Sequence, residues 1–375
     1  MFASGCSSDA DVTPDSGEVV PPTSGTPIAF AAMQQEEQAV TRAAALETTG
    51  VTTFTVYGFK NMSYDETDGY NGLQEVFPGY TVNWTINTAA TSTTNSDGWE
   101  YVNQQALGKE EQTIKYWDWE AQAYRFFAVA GATRTNEVKG VYETTSGIYK
   151  VTYKADANIP GDTPFYSRLW FSAGKPGEDP KFGQPVQLQF IKPLSKVRII
   201  FIFEEYLEPD TEAHNYATST ELTGISFSPT NGNTIKLKGD VTVRYPLTGT
   251  AATETFAATA EAEGITAFTQ DFFEATTIAG TEYTYPYKNA GTGGKTSKEY
   301  TVLPVTGQGT YTLLVNVNGE PKSTIVPAEY MNWKPGYLYT YIFKVHADQG
   351  VSISSVQSAF TEWVNHEANH TVYNW

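Results

Sequence analysis

The chain has 375 residues, which is long enough for two domains of ordinary size, each burying its own core. Its 24 basic and 42 acidic side chains give a formal net charge of −18. That charge argues against nucleic acid as a partner, because phosphates need a basic face, and against electrostatic attachment to anionic lipid headgroups. The 24 tyrosines, 20 phenylalanines and 8 tryptophans favour β structure.

The N-terminal residues 1–27 predict the remnant of a lipoprotein signal followed by a disordered tether. Ala3-Ser4-Gly5 ahead of the single cysteine, Cys6, is typical of the small-residue end of a bacterial lipoprotein signal. We therefore predict that Cys6 is lipidated; the alternative is an accidental cysteine in a tail. Only five residues precede it, so we expect the natural signal to begin earlier. The Ser-, Asp-, Pro- and Gly-rich tether has little to bury.

Residues 28–62 are the stretch on which the functional prediction for this chain depends. They open with a short apolar segment that is predicted to be the first strand and contains Ile28, Phe30 and Met33. The polar linker that follows has one basic residue, Arg42, and Arg42 is the only Lys or Arg before residue 60. A second strand with period-two alternation covers 51–59. An arginine-specific protease would cut between Arg42 and Ala43 and so detach the first strand; the alternative is an ordinary first strand followed by an uncut loop.

Short strands separated by turn-rich loops are predicted for the remainder of the first half. They are 80–86, 124–129, 147–153, 165–171 and 185–190. A denser apolar run, 196–203, opens a second series, and we place the domain boundary close to Pro193. The predicted domains are therefore 28–193, with the first strand and cleavable linker at 28–50, and 194–375.

The second half repeats the same pattern of short strands. They are predicted at 222–227, 234–237, 241–245, 300–304, 310–317, 323–326 and 337–345. Asn318-Gly319 between two of these strands is the strongest hairpin signal in the chain. Because helical spacers are missing, the pattern predicts an all-β protein made of two β-sandwiches in series rather than βαβ units.

A further apolar stretch near the C-terminus is predicted to be extended. Its apolar residues are Val351, Ile353, Val356, Phe360 and Trp363. Removing the first strand of a sandwich would leave unpaired backbone groups and exposed core positions, and a strand from another subunit would satisfy both. These residues are the candidate donor strand.

The order of several sequence blocks resembles the fimbrillin-type pilins and fimbrillin-like surface lipoproteins of the Bacteroidetes. The blocks are Ile28-Ala29-Phe30, Thr41-Arg42-Ala43, Phe54-Thr55-Val56-Tyr57-Gly58, 124–128, 186–190 with 195–197, Leu303-Pro304 and 333–341. The acidic residues after Cys6 are similar to the export signal of such lipoproteins. The tail after Trp363, acidic and histidine-bearing, departs from the family pattern.

This resemblance implies two tandem transthyretin-like Greek-key β-sandwich domains and a cell-surface, outer-membrane lipoprotein assembled into fimbriae. It also implies cleavage after Arg42 by an arginine-specific protease, followed by polymerisation with self or related pilin subunits through strand exchange. The expected role is structural and adhesive, with a host or bacterial surface ligand as a further partner. No enzyme activity and no cofactor is predicted.

Three sequence motifs resemble catalytic or ligand-binding sites. His366-Glu367-Ala368-Asn369-His370 fits the zinc-protease pattern H-E-x-x-H, but only five residues follow it, too few for a third ligand and a cleft wall. Gly293-Gly294-Lys295-Thr296 resembles the end of a P-loop, but Asn289 stands where the first glycine is required. Asp65, Asp68 and Asn71 have the wrong spacing for an EF-hand calcium loop. We predict no metal site.

The aromatic residues are the basis of a rival hypothesis, in which the chain binds glycans. Four tryptophans lie close together in sequence, at Trp84, Trp99, Trp117 and Trp119. If several were coplanar and faced solvent, the chain would be a non-polymerising surface lipoprotein that binds glycans. If they are buried, they belong to the sandwich core.

Overall fold

The computed structural model describes residues 25–34, 50–85, 98–102, 111–131, 138–174, 178–203, 206–207, 213–214, 221–269, 276–277, 295–296, 299–304, 306–346 and 350–360. The strands of the first half are β1 Phe30–Gln34, β2 Thr53–Asp65, β3 Gly69–Trp84, β4 Trp99–Glu100, β5 Ala123–Ala130, β6 Lys139–Glu143, β7 Ile148–Asp156, β8 Phe165–Ser167, β9 Trp170–Ala173 and β10 Val186–Ile191.

The strands of the second half are β11 Ser195–Phe203, β12 Tyr206–Leu207, β13 Ala213–His214, β14 Leu222–Pro229, β15 Ile235–Lys236, β16 Lys238–Pro246, β17 Thr255–Ala260, β18 Gly264–Ile265, β19 Phe268–Thr269, β20 Thr276–Thr277, β21 Lys295–Thr296, β22 Tyr300–Val302, β23 Tyr311–Val317, β24 Glu320–Val326, β25 Tyr337–Val345 and β26 Val351–Phe360. Two short 3-10 helices, Pro160–Asp162 and Ala328–Met331, are the helical elements of the described residues. The all-β prediction is confirmed.

The first apolar core lies on both faces of an eight-stranded sheet with the order β1-β10-β8-β5-β2-β3-β4, in which β9 also pairs with β5. All eight residues of β5 are buried because this strand is covered on both sides. On one face, Phe126 lies 5.9 Å from Phe30 between ring centroids. On the other, Phe127 stacks on Tyr245 at 3.9 Å.

Tyr245 belongs to a hairpin from the second half of the sequence that completes the first core. Strand β16 pairs with β7 over nine residues, from Lys238 opposite Asp156 to Pro246 opposite Ile148. The resulting four-stranded sheet has the order β17-β16-β7-β6. The domain boundary at 193 stays a prediction. Strands β16 and β17 follow that position in the sequence, yet they pack with strands that precede it.

Buried Arg125 links the turn between β16 and β17 to the first sheet through hydrogen bonds. Its Nη2 donates a hydrogen bond to the Gly249 carbonyl oxygen at 2.8 Å, and its Nη1 donates to Asn61 Oδ1. Its guanidinium lies 4.4 Å from the centroid of the Phe171 ring. Burial lowers the pKa of Arg125 to about 10, so the side chain stays charged at neutral pH and keeps these contacts.

The second core lies between two further sheets, with the orders β20-β21-β11-β25-β26 and β19-β14-β23-β24; β22 also pairs with β11. The predicted hairpin at Asn318-Gly319 is confirmed as the turn between β23 and β24. Asn318 has φ 51° and Gly319 φ 86°, the positive values that a two-residue turn of this kind requires. No helix among the described residues is long and apolar enough to cross a membrane.

Candidate functional site

The first strand lies at one edge of the eight-stranded sheet. It pairs in parallel with β10 over five positions, from Phe30 opposite Val186 to Gln34 opposite Phe190. The Val186 N–H also donates to the Ala29 carbonyl oxygen at 2.8 Å. An edge strand with one ladder partner can leave without breaking the hydrogen bonds between the remaining strands.

The inward face of this segment fills the centre of the first core. Ile28 and Phe30 are both 0% exposed, and Ala32 is 7% exposed. The Phe30 ring makes edge-on contacts with four other aromatic rings at centroid distances of 5.2–6.2 Å; they belong to Phe54, Phe77, Tyr101 and Phe126. Removing the strand would therefore expose an aromatic cavity.

Met33 does not belong to this inward face. It is half-buried, and it follows Ala32 in an extended strand whose side chains alternate between faces. The predicted first strand is present, but Ala32 rather than Met33 is its third core residue. The sequence carried this signal, because Ala32 stands two residues after Phe30.

A second set of contacts holds the beginning of the segment. The Ile28 N–H donates to the Lys115 carbonyl oxygen at 2.8 Å, and the Trp117 N–H donates to the Thr26 carbonyl oxygen at 3.0 Å. The Tyr101 hydroxyl donates to the Ile28 carbonyl oxygen at 2.9 Å. Burial raises the Tyr101 pKa well above its usual value, so the hydroxyl remains a donor. No sequence pattern indicated these partners.

The groove that this segment occupies has the properties that strand addition requires. Without the segment, backbone groups of Val186, Lys115 and Trp117 would lose their partners, and buried apolar surface would meet water. Replacement side chains would each contribute roughly 1.5–3 kcal/mol when fully buried. Backbone hydrogen bonds would provide affinity, and the alternating pockets would provide specificity.

The candidate donor strand is an edge strand of the second core. Strand β26 pairs with β25 in antiparallel orientation, from Tyr337 opposite Phe360 to Val345 opposite Val351. A register shift leaves Ser354 as an extra residue between Ile353 and Ser355. This bulge explains why three apolar residues of mixed parity all pack on the second core; they are Val351, Ile353 and Val356. The candidate donor segment is therefore also a strand of its own subunit's second core.

Several predicted site residues lie outside the described residues: Cys6, Arg42, Ala43, Trp363, His366 and His370. Within the part of the chain that is described, no group of three His, Cys, Asp or Glu side chains could hold a metal ion. Lys295 and Thr296 form β21 and pair with β11. The predicted interpretations of Cys6 and Arg42 stay predictions.

The calcium-like cluster forms a hydrogen-bonded turn. Asp65 Oδ1 accepts hydrogen bonds from the Thr67 N–H at 2.8 Å and the Asp68 N–H at 3.1 Å. These bonds hold the pKa of the Asp65 carboxyl below its usual range. The carboxylate closes the turn between β2 and β3, as an aspartate does in an Asx turn.

The four tryptophans of the rival hypothesis do not form a platform facing solvent. Trp99 is 1% exposed and Trp117 is 3% exposed. Trp84 and Trp119 are half-buried, and the Trp84 ring lies 5.4 Å from Trp99 at an angle of 59°. These residues are mainly part of the first core, which removes the sequence feature on which that hypothesis was based.

Lys192, which belongs to no motif in the sequence, is buried beside the predicted boundary. It is 4% exposed; its Nζ donates to the Thr163 carbonyl oxygen and lies 4.2 Å from the Phe165 ring centroid. Burial lowers its pKa to about 7, and the charge of Asp162 opposes that shift in part. An unfolded chain would keep the ordinary lysine pKa of roughly 10.4.

This difference predicts a pH dependence of stability. Between pH 7 and about pH 10 the unfolded chain binds the Lys192 proton and the folded chain does not, so stability should rise with pH. Urea unfolding between pH 7 and pH 9 should show this rise in the wild type, whereas Lys192→Met should give a flatter profile. Exposed Lys139 provides the control Lys139→Met, which should behave as wild type. Equal slopes in the wild type and Lys192→Met would contradict the assignment.

Comparison with known proteins finds similarity only among solved structures. No protein-family profile matches the chain. No curated protein matches it. A candidate cell adhesion protein from Bacteroides ovatus is 12% identical, with a TM-score of 0.43 and coverage of 90% of this chain and 99% of that one.

Two fimbrial proteins are among the other similar structures. A fimbrial anchor protein from Porphyromonas gingivalis is 12% identical, with a TM-score of 0.28 and coverage of 88% and 96% of the two chains. A fimbrial assembly protein from Parabacteroides distasonis is 10% identical, with a TM-score of 0.32 and coverage of 88% and 93%. Their names fall in the class of protein that the sequence blocks resemble. At these scores, function has to be inferred from the contacts of this chain.

Proposed function

We propose that this chain is a structural and adhesive subunit of a surface fimbria, assembled by strand exchange, with no catalytic role. The supporting observation is the first segment: its core residues Ile28 and Phe30 are fully buried, yet its strand β1 lies at a sheet edge and has one ladder partner, β10. A segment with these properties can be removed and then replaced by an equivalent strand from a neighbouring subunit.

Maturation begins with export as a lipoprotein held at the cell surface through Cys6. An arginine-specific protease then cuts after Arg42, which lies beyond the last residue of β1 and ahead of β2. The cut detaches the first strand without interrupting any other strand of the sheet. In the mature subunit, the groove beside β10 accepts the donor strand of the next subunit.

The donor in this scheme is the C-terminal segment that begins at Val351. As an edge strand, β26 can separate from β25 while the rest of its sheet remains paired. Its apolar residues Val351 and Ile353, which are two positions apart, would exchange half-buried positions on the second core for two of the vacated positions, such as those of Ile28 and Phe30. The gain in apolar burial would drive assembly.

The experiment that tests this function uses Arg42→Ala. Purified protein is treated with an arginine-specific protease, the cut is located by mass spectrometry, and assembly is followed by electron microscopy. The wild type should be cut between Arg42 and Ala43 and form fibres, whereas Arg42→Ala should stay uncut and monomeric. Lys60→Ala, at the next basic position of the chain, is the control and should be cut like the wild type. Fibres from uncut Arg42→Ala protein would refute the mechanism.

A further inference from the structure

Strand β17 forms one edge of the four-stranded sheet β17-β16-β7-β6. It pairs with β16 in antiparallel orientation without a register shift, and just beyond it the Glu261 N–H donates to the Lys238 carbonyl oxygen at 2.9 Å. Hydrogen-bonded pairs alternate in an antiparallel ladder, so every second residue counted back from Glu261 also bonds to β16. The N–H and C=O groups of the residues between them, Phe256, Ala258 and Ala260, therefore point to the open edge.

The composition of β17 gives this edge no protection against pairing. Exposed edges of native sheets are commonly blocked by charged residues, proline or a bulge. The edge strand β6 contains Lys139 and Glu143, and the edge strand β24 contains Glu320, Pro321 and Lys322. Among the described edge strands of five or more residues, β1, β26 and β17 contain neither a charged residue nor proline. Strands β1 and β26 have a part in the strand exchange proposed above, whereas β17 has none.

A groove of about 640 Å³ lies along the open edge of β17. Three consecutive residues of the strand line it, Ala258, Thr259 and Ala260. Because their side chains alternate between the two faces of the sheet, a space that all three reach lies at the strand edge. The other lining residues come from 229–236 and 306–308, next to β14 and β23 of the second core. These segments bound the groove, so it suits one added strand rather than the sheet of a second copy.

The outward backbone groups of β17 can recognise an extended peptide. In the described part of the chain, no hydrogen bond reaches the outward N–H and C=O groups of Phe256, Ala258 and Ala260. A peptide laid beside the strand would pair with them in an ordinary sheet ladder. The Phe256 ring stacks on Tyr166 with 5.6 Å between centroids, and this packing holds the start of the strand in place. An edge that is ordered before binding loses little entropy when the peptide arrives.

A cation stands at the Ala260 end of the groove. Lys236 is the charged residue among the described residues that line the groove. Its Nζ donates to Thr234 Oγ1 at 2.7 Å and to the Ala262 carbonyl oxygen, just beyond the end of β17, at 3.0 Å. An ammonium group has three donor hydrogens. No carboxylate of the described residues lies within 4 Å of this one. The third donor therefore fits a carboxylate of a ligand.

We propose that the groove beside β17 binds an extended peptide by strand addition, with a carboxylate of the peptide paired to Lys236. The peptide would extend the sheet β17-β16-β7-β6 by one strand. The bounded space and the single cation favour an acidic peptide over a second copy of this chain. The site adds a peptide-binding surface to the fimbrial role, and it requires neither cleavage nor assembly. Its test uses the uncleaved chain, so failure here would leave the strand-exchange proposal intact.

Fluorescence anisotropy measures peptide binding to the uncleaved full chain. The probes are labelled heptapeptides of alternating threonine and valine with an amidated C-terminus and one glutamate, placed at each position in turn. A neutral set has glutamine in place of glutamate, and one further peptide has no glutamate but a free C-terminal carboxylate. The best acidic peptide should bind about tenfold tighter than its neutral counterpart, and its identity tells a side-chain carboxylate from a terminal one. No binding by any acidic peptide, or equal affinity of acidic and neutral peptides, would overturn the proposal.

Amide hydrogen exchange shows where the peptide lies. In the free chain, the N–H groups of Phe256, Ala258 and Ala260 should exchange faster than those of Ala257 and Thr259, which donate to β16. Saturating peptide should slow the exchange of the first three. Methylation of alternate peptide nitrogens should weaken binding by about tenfold or more in one of the two possible patterns and have little effect in the other, because only every second peptide N–H faces β17. Absence of protection at the three outward amides would reject the site.

Matched variants test the two parts of the site separately. Ala258→Pro removes an N–H that faces the open edge and keeps the ladder to β16, so it should weaken peptide binding by about tenfold or more. Lys236→Met should remove the preference for the acidic over the neutral peptide. Lys139→Met, on β6, is the control and should bind as wild type. Thermal unfolding verifies that each variant is folded.

Two results with these variants would contradict the proposal. Unchanged peptide binding in both Ala258→Pro and Lys236→Met would reject the site. A dimer of the peptide-free chain that Ala258→Pro dissociates, measured by analytical ultracentrifugation, would assign the edge to a second copy instead.

Discussion

Replacing Phe30 by alanine is expected to lower the free energy of unfolding of the first core by about 3–5 kcal/mol. The ring is 0% exposed and contacts four other aromatic rings, so its loss leaves a cavity that rigid neighbours cannot close. Urea unfolding followed by tryptophan fluorescence would measure this loss. Trp99 and Trp117 belong to the first core and Trp333 to the second, so the first core contributes strongly to the signal.

Met33→Ala is the matched control, because Met33 lies in the same strand but on its other face. Its replacement should cost about 1 kcal/mol or less. The two variants also separate stability from assembly. Once the linker is cut and the first strand has left, subunits made from Phe30→Ala precursor should assemble as the wild type does. A Phe30→Ala cost no larger than that of Met33→Ala, or defective assembly after cleavage, would contradict the proposed role of the segment.

Ending the chain at Gly350 is expected to destabilise the second core as well as to prevent assembly. The truncation removes β26 and with it three apolar side chains that pack on that core, Val351, Ile353 and Val356. Their loss, together with the ladder to β25, should cost roughly 3 kcal/mol or more. Urea unfolding followed by circular dichroism, together with limited proteolysis, would measure the loss of stability. A truncated chain that keeps wild-type stability would contradict the structural role of β26.

Truncation alone cannot separate folding from donation, so a peptide experiment complements it. A synthetic peptide of residues 350–375, added to freshly cleaved wild-type subunits, should occupy the vacated groove and slow fibre growth. The same peptide with serine in place of Val351, Ile353 and Val356 should have little effect, because it keeps the backbone but loses the apolar side chains. Equal inhibition by both peptides would mean that this segment is not the donor.

Local pattern was sufficient for much of the fold and for part of the site. Alternation in the sequence indicates which residues of a strand share a face, and this predicted the buried positions Ile28 and Phe30. The Asn-Gly pair between two strands likewise predicted the turn at Asn318-Gly319, because the positive φ angles of such a turn favour these residue types. Strand β3 shows the limit of such patterns: it begins at Gly69, whereas alternation predicted a strand only from residue 80. The earlier part of β3 contains Gly, Asn, Glu and Pro, and its pairing with β2 maintains the extended conformation.

By itself, then, the sequence determined the all-β class, the first strand with its two large core residues, and a single basic residue in the linker that follows. Only the tertiary structure decided which strands meet. It placed β16, from the second half, beside β7, and it placed β26 on β25 through a bulge at Ser354. The physical reason is that a period of two specifies the face of a residue, whereas strand partners are selected by packing between residues far apart in the chain.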